Sequence, residues 1–224
     1  YFYVWRRYFS IAKRDLCREI MQNRFDSDAL NWDANPTTQL LKQAIEKELD
    51  AHVQFNPNWH VLDYGSGTGN ILLHVLPKVA HVTAMDNSMG MIEVLRSKIP
   101  LPYSNAVTTI LHNADTDHLP KHTFDCILSS MTLHHIKDTQ GFVSECFSAL
   151  TQSGSLILID LCKENGSFHK EIDATIYHFG FDMEYIQTLL QQTGFSNVSV
   201  HEFYAIFKDH AQQSFPVFFA IARK

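Results

Sequence analysis

Short apolar runs alternate along most of this chain with stretches whose apolar residues recur every three or four positions. That alternation marks strands followed by amphipathic helices. A first strand is read over about residues 59–64, and the helix after it carries Ile71, Leu72, Val75 and Leu76 before Pro77. A second strand is read over 81–86; its helix starts near Ser88, a good N-cap, and carries Met91, Ile92, Leu95 and Ile99. A third strand covers about 107–112 and a fourth about 124–129. A helix from Thr139 carries Phe142, Cys146, Phe147 and Leu150, and Gly154 is read as ending the turn after it. Residues 156–161 are an apolar run broken only by Asp160, as expected for a strand covered on both faces. Asp182 then caps a helix, with Phe181 placed to pack on Ile186, and Gly194 stands just past its end. The tail alternates over 198–207 and 215–222 around a polar loop, so these strands pair antiparallel. The pattern predicts a mostly parallel α/β sheet that ends in an antiparallel hairpin.

The part before residue 59 reads differently. Residues 1–24 are aromatic and basic, and Trp5, Phe9, Ala12, Leu16 and Ile20 fall on one side of a helix. A membrane-surface or targeting helix is one reading. Asp15 and Glu19 interrupt the basic face, which favours a helix docked on the domain. Residues 25–36 read as an Asp- and Asn-rich loop, and 37–49 as a second helix. The division is a helical appendage over 1–50, capping the site, and a ligand-binding domain over 51–224. The chain opens on Tyr1 rather than Met, which leaves room for residues ahead of it.

With 224 residues and 45% hydrophobic content the chain can bury one sizeable core. A formal charge of −6 argues against a nucleic-acid partner, since phosphate binding rests on Lys and Arg. The four cysteines are widely spaced, as expected of reduced thiols in a cytoplasmic protein rather than a disulfide framework. No apolar run is long enough to span a membrane.

The chemistry concentrates at the carboxyl ends of the parallel strands, where such sheets bind their ligands. The first strand ends in Asp63-Tyr-Gly65-Ser66-Gly67-Thr-Gly69-Asn70. Glycines at this spacing let the chain turn sharply and let a ligand lie against main-chain N–H groups. Asn70 stands where a dinucleotide fingerprint has its third glycine, which points away from NAD and toward another adenosyl ligand. The second strand ends in Asp86-Asn87, roughly 20 residues after Gly65, where a carboxylate can accept both ribose hydroxyls. The plainer reading of Asp86 is a cap beside Ser88. The third strand ends in Asn113-Ala-Asp115-Thr116, and Asp115 can accept from an adenine amine or simply shape the turn. The fourth ends in Ser129-Ser130-Met131, followed by Thr132-Leu133-His134-His135. Asp63 either orients the glycine loop or receives a ligand ammonium group.

These segments together resemble the class I S-adenosylmethionine-dependent methyltransferases. The likeness rests on Asp63 to Gly69, Ala84-Met-Asp86-Asn-Ser88, Asn113-Ala-Asp115, Phe124 to His135, and the Leu150 to Leu156 entry to the fifth strand. It covers about residue 25 to the end. Asp160 to His169, Tyr177 to Asp182 and the opening Phe25 to Asp33 point to the broad small-molecule branch, in which such an opening folds over the cofactor. The 24 residues before Phe25 depart from the pattern. The resemblance implies a Rossmann-like, doubly wound, seven-stranded sheet with an antiparallel last strand. It implies S-adenosyl-L-methionine as cofactor, S-adenosyl-L-homocysteine as product, and Gly65–Gly69 beneath the methionine and ribose. It places Asp86 on the ribose and Asp115 near adenine, with Asn87, Thr116, Ser66 and Ser129 at the same strand ends.

A sulfonium donor carries an electrophilic methyl carbon, so transfer is an in-line displacement that needs a base only where the acceptor must lose a proton. His134 and His135 are the best-placed bases, with His169 and His178, the latter beside Tyr177, in the region that covers the acceptor in related enzymes. The Leu-His-His pattern also suits a structural histidine held by the neighbouring loop. No His-x-x-x-His or Cys cluster of metal spacing appears at the site, so no metal is expected there. No Asn/Asp-Pro-Pro-Tyr/Phe follows the fourth strand, which disfavours a DNA or glutamine target. Three rivals remain: an NAD(P)-dependent oxidoreductase, a non-catalytic S-adenosylmethionine-binding module, and a methyltransferase of protein or RNA guided by the basic first helix. The acceptor, the atom methylated and the oligomeric state are not legible in the residues.

Overall fold

The structure, a computed structural model, describes residues 24–170 and 175–224. The amphipathic helix read at the start of the chain lies outside the described residues, save for Arg24. Seven strands form one sheet: β1 (His60–Tyr64), β2 (His81–Asp86), β3 (Val107–Leu111), β4 (Phe124–Ser130), β5 (Leu150–Leu161), β6 (Ser196–Lys208) and β7 (Gln213–Arg223). Their order is β3-β2-β1-β4-β5-β7-β6. Strands β1 to β5 are parallel, and β7 runs antiparallel to both β5 and β6. The order reverses between β1 and β4, which opens a crevice at their carboxyl ends.

Among the described residues six α-helices flank the sheet: α1 (Arg24–Asp28), α2 (Pro36–His52), α3 (Leu72–Val75), α4 (Met89–Lys98), α5 (Thr139–Ala149) and α6 (Met183–Thr193). Successive strand residues point to opposite faces, so both faces need cover. Leu62, Ile127 and Leu158 pack with Phe142 and Val143 of α5 and Ile186 and Leu190 of α6. Val61, Val82 and Ile157 pack with Ile45 and Leu49 of α2, Leu72 of α3 and Leu95 of α4. This is the doubly wound arrangement expected, closed by the antiparallel C-terminal strand. The caps hold as well. Ser88 Oγ accepts from the Met91 N–H at 3.1 Å, Asp182 accepts from the Glu184 N–H, and Gly194 is left-handed at φ 110°.

Three local readings differ from the structure. The segment 25–36, read as a loop, forms α1 and a 3-10 helix over Ala29–Ala34. Its aspartates suggested a loop because Asp usually bonds its own backbone. Here they bond distant residues instead, as described below. The helix after β1 is one α turn followed by a 3-10 turn over Leu76–Lys78, since Pro77 has no N–H to continue it. Gly154 does not end a turn but lies inside β5, which begins at Leu150. Leu150 pairs with Phe124 and Ser155 with Cys126, so β5 carries extra residues in a bulge.

Cys126 and Cys146 are buried, Cys162 is partly so, and all three are unpaired. Burial pushes the Cys126 thiol up to about 12 and that of Cys162 to about 11. Among the described residues no helix is long and apolar enough to cross a membrane. Leu49 of α2 is fully buried against the sheet. Leu49→Ala is expected to lower unfolding free energy by about 3 kcal/mol, the usual cost of a core leucine cavity, read by denaturant titration.

Candidate active site

The glycine loop leaves β1 and is tied at once to β2. The N–H groups of Gly65 and Ser66 both donate to the Met85 carbonyl, at 2.7 and 3.0 Å. Gly65, Gly67 and Gly69 all have positive φ. Two of them also leave no room for a side chain. A Cβ on Gly65 would lie 2.1 Å from Thr132 Oγ1, and one on Gly69 would lie 2.1 Å from Leu95 Cδ1. The loop is therefore pressed between the turn after β4 and the face of α4.

Asp86 closes this arrangement. Its Oδ2 accepts from the Gly67 N–H at 2.7 Å and its Oδ1 from the Ser88 N–H at 2.8 Å. Burial raises its pKa, while the N–H groups of Ser88, Gly67 and Asn87 pull it back toward the ionised form. Asp63, 3% exposed, stands at the end of β1. Burial, and then the charge of Asp86, raise its pKa to about 7. Among the described residues Asp63 Oδ2, Ser66 Oγ and Ser129 Oγ are buried with no hydrogen-bond partner. Ser129 pairs with Tyr64 across β4 and β1, so these three atoms belong to adjoining strand ends. Asn87 is exposed just past Asp86, while Asp115 and Thr116 are exposed in the turn after β3. That turn is folded on Asn113, whose Oδ1 accepts from the Asp115 N–H and whose carbonyl accepts from the Thr116 N–H.

The N-terminal segment pins the loop through residues that neighbouring sequence does not reveal. Asp26 Oδ1 accepts from Ser88 Oγ and from the Gly90 N–H. Asp33 Oδ1 accepts from Thr68 Oγ1 at 2.6 Å and from Asn70 Nδ2 at 2.7 Å, while Lys98 Nζ donates to its Oδ2 at 2.6 Å. Burial pushes the Asp33 carboxyl up, but the hydrogen bonds from Lys98, Thr68 and Asn70 outweigh it and leave the group below the ordinary range. Asn70, notable in the sequence as a missing glycine, is thus the amide that fastens Asp33. Phe25 meets the ring of His135 edge-on at 5.3 Å, with the Arg24 guanidinium 5.1 Å from the centre of the Phe25 ring.

Three of the histidines read at this site sit in different surroundings. His134 is 2% exposed, and its Nδ1 lies 2.7 Å from Asp160 Oδ1. Burial alone would raise Asp160, but His134 and nearby N–H groups hold it below its usual range, so it is a carboxylate. The Nδ1–H of His134 is therefore committed to it. His135 Nδ1 lies 2.7 Å from the Thr175 carbonyl, and burial followed by the neighbouring His134 lowers its pKa to about 4. His178 donates from Nε2 to the Ile136 carbonyl at 3.0 Å. The N–H groups of Tyr177 and His178 both reach the His134 carbonyl, lacing this loop to the 3-10 turn over Leu133–His135.

The chain matches the model of a methyltransferase domain family over residues 62–158. It is 30% identical over 154 residues to an uncharacterized methyltransferase of Schizosaccharomyces pombe, covering 62% of this chain and 54% of that protein. It is 29% identical over 156 residues to a demethylmenaquinone methyltransferase of Symbiobacterium thermophilum, covering 67% of this chain and 62% of that one. The chain thus spans less than two thirds of the length of these curated relatives. In fold it is similar to a putative methyltransferase from Bacillus halodurans, with a TM-score of 0.66 at 20% identity over 80% of this chain and 98% of that one. It is similar also to a Haemonchus contortus phosphoethanolamine N-methyltransferase solved with S-adenosyl-L-methionine, with a TM-score of 0.72 at 18% identity over 92% of this chain and 59% of that one. With the sheet order, the reversed last strand and the glycine loop closed on Asp86, these likenesses show a methyltransferase domain over residues 62–158 and a fold similar to that of S-adenosylmethionine-dependent methyltransferases.

Proposed function

We propose that this chain binds S-adenosyl-L-methionine at the carboxyl ends of β1, β2 and β4 and methylates a small-molecule acceptor. The observation that carries this reading is the set of partnerless buried atoms, Asp63 Oδ2, Ser66 Oγ and Ser129 Oγ, at adjoining strand ends. A buried polar atom without a partner is costly, and three together suit a polar ligand. The residues fit the cofactor. The Asp86 oxygens accept from the Gly67 and Ser88 N–H groups, and a carboxylate has lone pairs enough to accept from ribose hydroxyls as well. Asp63 is the group to receive the ammonium. Gly65 to Gly69, with Ser66, run beneath the methionine and ribose. Asn87, Asp115 and Thr116 flank the adenosine half, with Ser129 at the opposite wall. Residues 24–34 close over this ligand through Asp26 and Asp33.

When bound, the cofactor supplies a methyl carbon made electrophilic by its sulfonium charge. The protein's own part is mainly alignment, for which a well-held geometry is worth roughly 7–11 kcal/mol. Where the acceptor must lose a proton, His135 or His178 takes it rather than His134, whose Nδ1 proton is committed to Asp160. His135 stays neutral through the neutral range, so it accepts a proton weakly and serves better to position the acceptor. A small acceptor fits the negative net charge and the demethylmenaquinone and phosphoethanolamine enzymes among the relatives. The unpaired cysteines suit a cytoplasmic setting.

Asp86→Ala is expected to weaken S-adenosyl-L-homocysteine binding at least tenfold, about 1.4 kcal/mol, in calorimetric titration. Unchanged affinity in a folded variant would remove the ribose assignment. The raised pKa of Asp63 gives a second test. Below about pH 7 the free carboxyl holds a proton, and an ammonium partner favours its release. Binding is therefore expected to release a proton at mildly acidic pH and not at alkaline pH, read by calorimetry in buffers of different ionisation enthalpy. Asp63→Asn should abolish that release.

A further inference from the structure

His134, His135 and His169 come together where the carboxyl ends of β4 and β5 meet. One ligating nitrogen of each ring lies within 4.8 Å of the others. The ring centres of His134 and His135 are 4.1 Å apart, and that of His169 lies 5.3 and 5.9 Å from them. Sequence spacing hides the cluster, because His169 joins the adjacent pair only through the fold. We propose that these three histidines form a binding site for a divalent transition-metal ion of the zinc type.

The hydrogen bonds behind the rings carry the argument. The Thr175 carbonyl can only accept, so His135 Nδ1 bears the proton and its Nε2 keeps a lone pair. The Asp160 carboxylate does the same for His134. A metal-ligating histidine almost always donates its other N–H to a carboxylate or a backbone carbonyl, and here both forms occur side by side. Three imidazole ligands suit zinc, copper or nickel rather than magnesium or calcium. At zinc–nitrogen distances of about 2.0 Å the three nitrogens of a tetrahedral site stand about 3.4 Å apart, so the rings would turn inward to seat the ion. A three-histidine set leaves the fourth position open. Arg24 and Lys208 lie close enough to act on His169, and their positive charge suits an anionic oxygen or sulfur as the fourth ligand.

A second cluster, Glu48, His52 and His201, is the weaker candidate. There Glu48 Oε1 pairs directly with His52 Nε2 at 3.0 Å and His201 Nε2 at 2.6 Å, so the nitrogens facing it bear protons. The test uses the purified chain after chelator treatment, without cofactor, titrated with zinc by calorimetry and with cobalt(II) by visible absorption. A single zinc ion per chain and a tetrahedral cobalt spectrum are expected. His135→Ala and His169→Ala should each weaken zinc binding at least tenfold, and Asp160→Asn by about 10–100-fold although it removes no ligand. His201→Ala should leave binding intact. Circular dichroism and S-adenosyl-L-homocysteine titration of each variant separate loss of metal from loss of fold or of the cofactor pocket. Absence of zinc binding to the unaltered chain, or binding lost in His201→Ala and kept in folded His169→Ala, overturns the proposal.

Discussion

Two carboxylates, Asp63 and Asp86, end neighbouring parallel strands in a largely buried setting, and the charge of Asp86 adds to burial in raising the cost of ionising Asp63. Every element of the crevice answers that constraint in some way. The loop after β1 turns through three positive-φ glycines and delivers the Gly67 N–H to Asp86. The start of α4 delivers the Ser88 N–H to its other oxygen. Asp63 receives less, and one of its oxygens is without a partner among the described residues. The imbalance concentrates negative potential at one end of the crevice, next to two partnerless hydroxyls.

The N-terminal segment shows how such a loop is held without a large apolar interface. Asp26 and Asp33 act as pins on either side of the glycine turn, one at the start of α4 and one across Thr68, Asn70 and Lys98. A partly buried charge is tolerated where several donors converge on it, and Asp33 has three. The same segment brings Phe25 onto His135, so the glycine loop and the histidine cluster share one covering strip.

Much of this was legible in the residues, for reasons of period and spacing. The strands covered on both faces are continuous apolar runs, and β1, β2, β4 and the hairpin fell within a residue or two of their observed bounds. Ser88, Asp182 and Gly194 are short-range signals, and each acts within three residues of itself. What stayed hidden is long-range. Nothing near Asp33 announces that Lys98 will meet it, and nothing near His134 announces His169. The helical turns of 25–34 were missed because their aspartates spend their oxygens on α4 and the glycine loop rather than on local turns. The bulge at Gly154 was missed because a glycine after a helix ordinarily marks a stop, whereas here the chain has already joined the sheet.

The cysteines bear on a hazard that a sulfonium ligand brings. A sulfonium donor alkylates soft nucleophiles, and the thiolate, not the thiol, is the reactive form of cysteine. Cys126 and Cys146 are sealed in the core, and Cys162, two residues beyond Asp160, has its ionisation suppressed by burial and by Glu202 and Asp160 nearby. At neutral pH these sulfurs remain protonated and inert. Among the described residues, then, no cysteine offers a thiolate to an alkylating ligand.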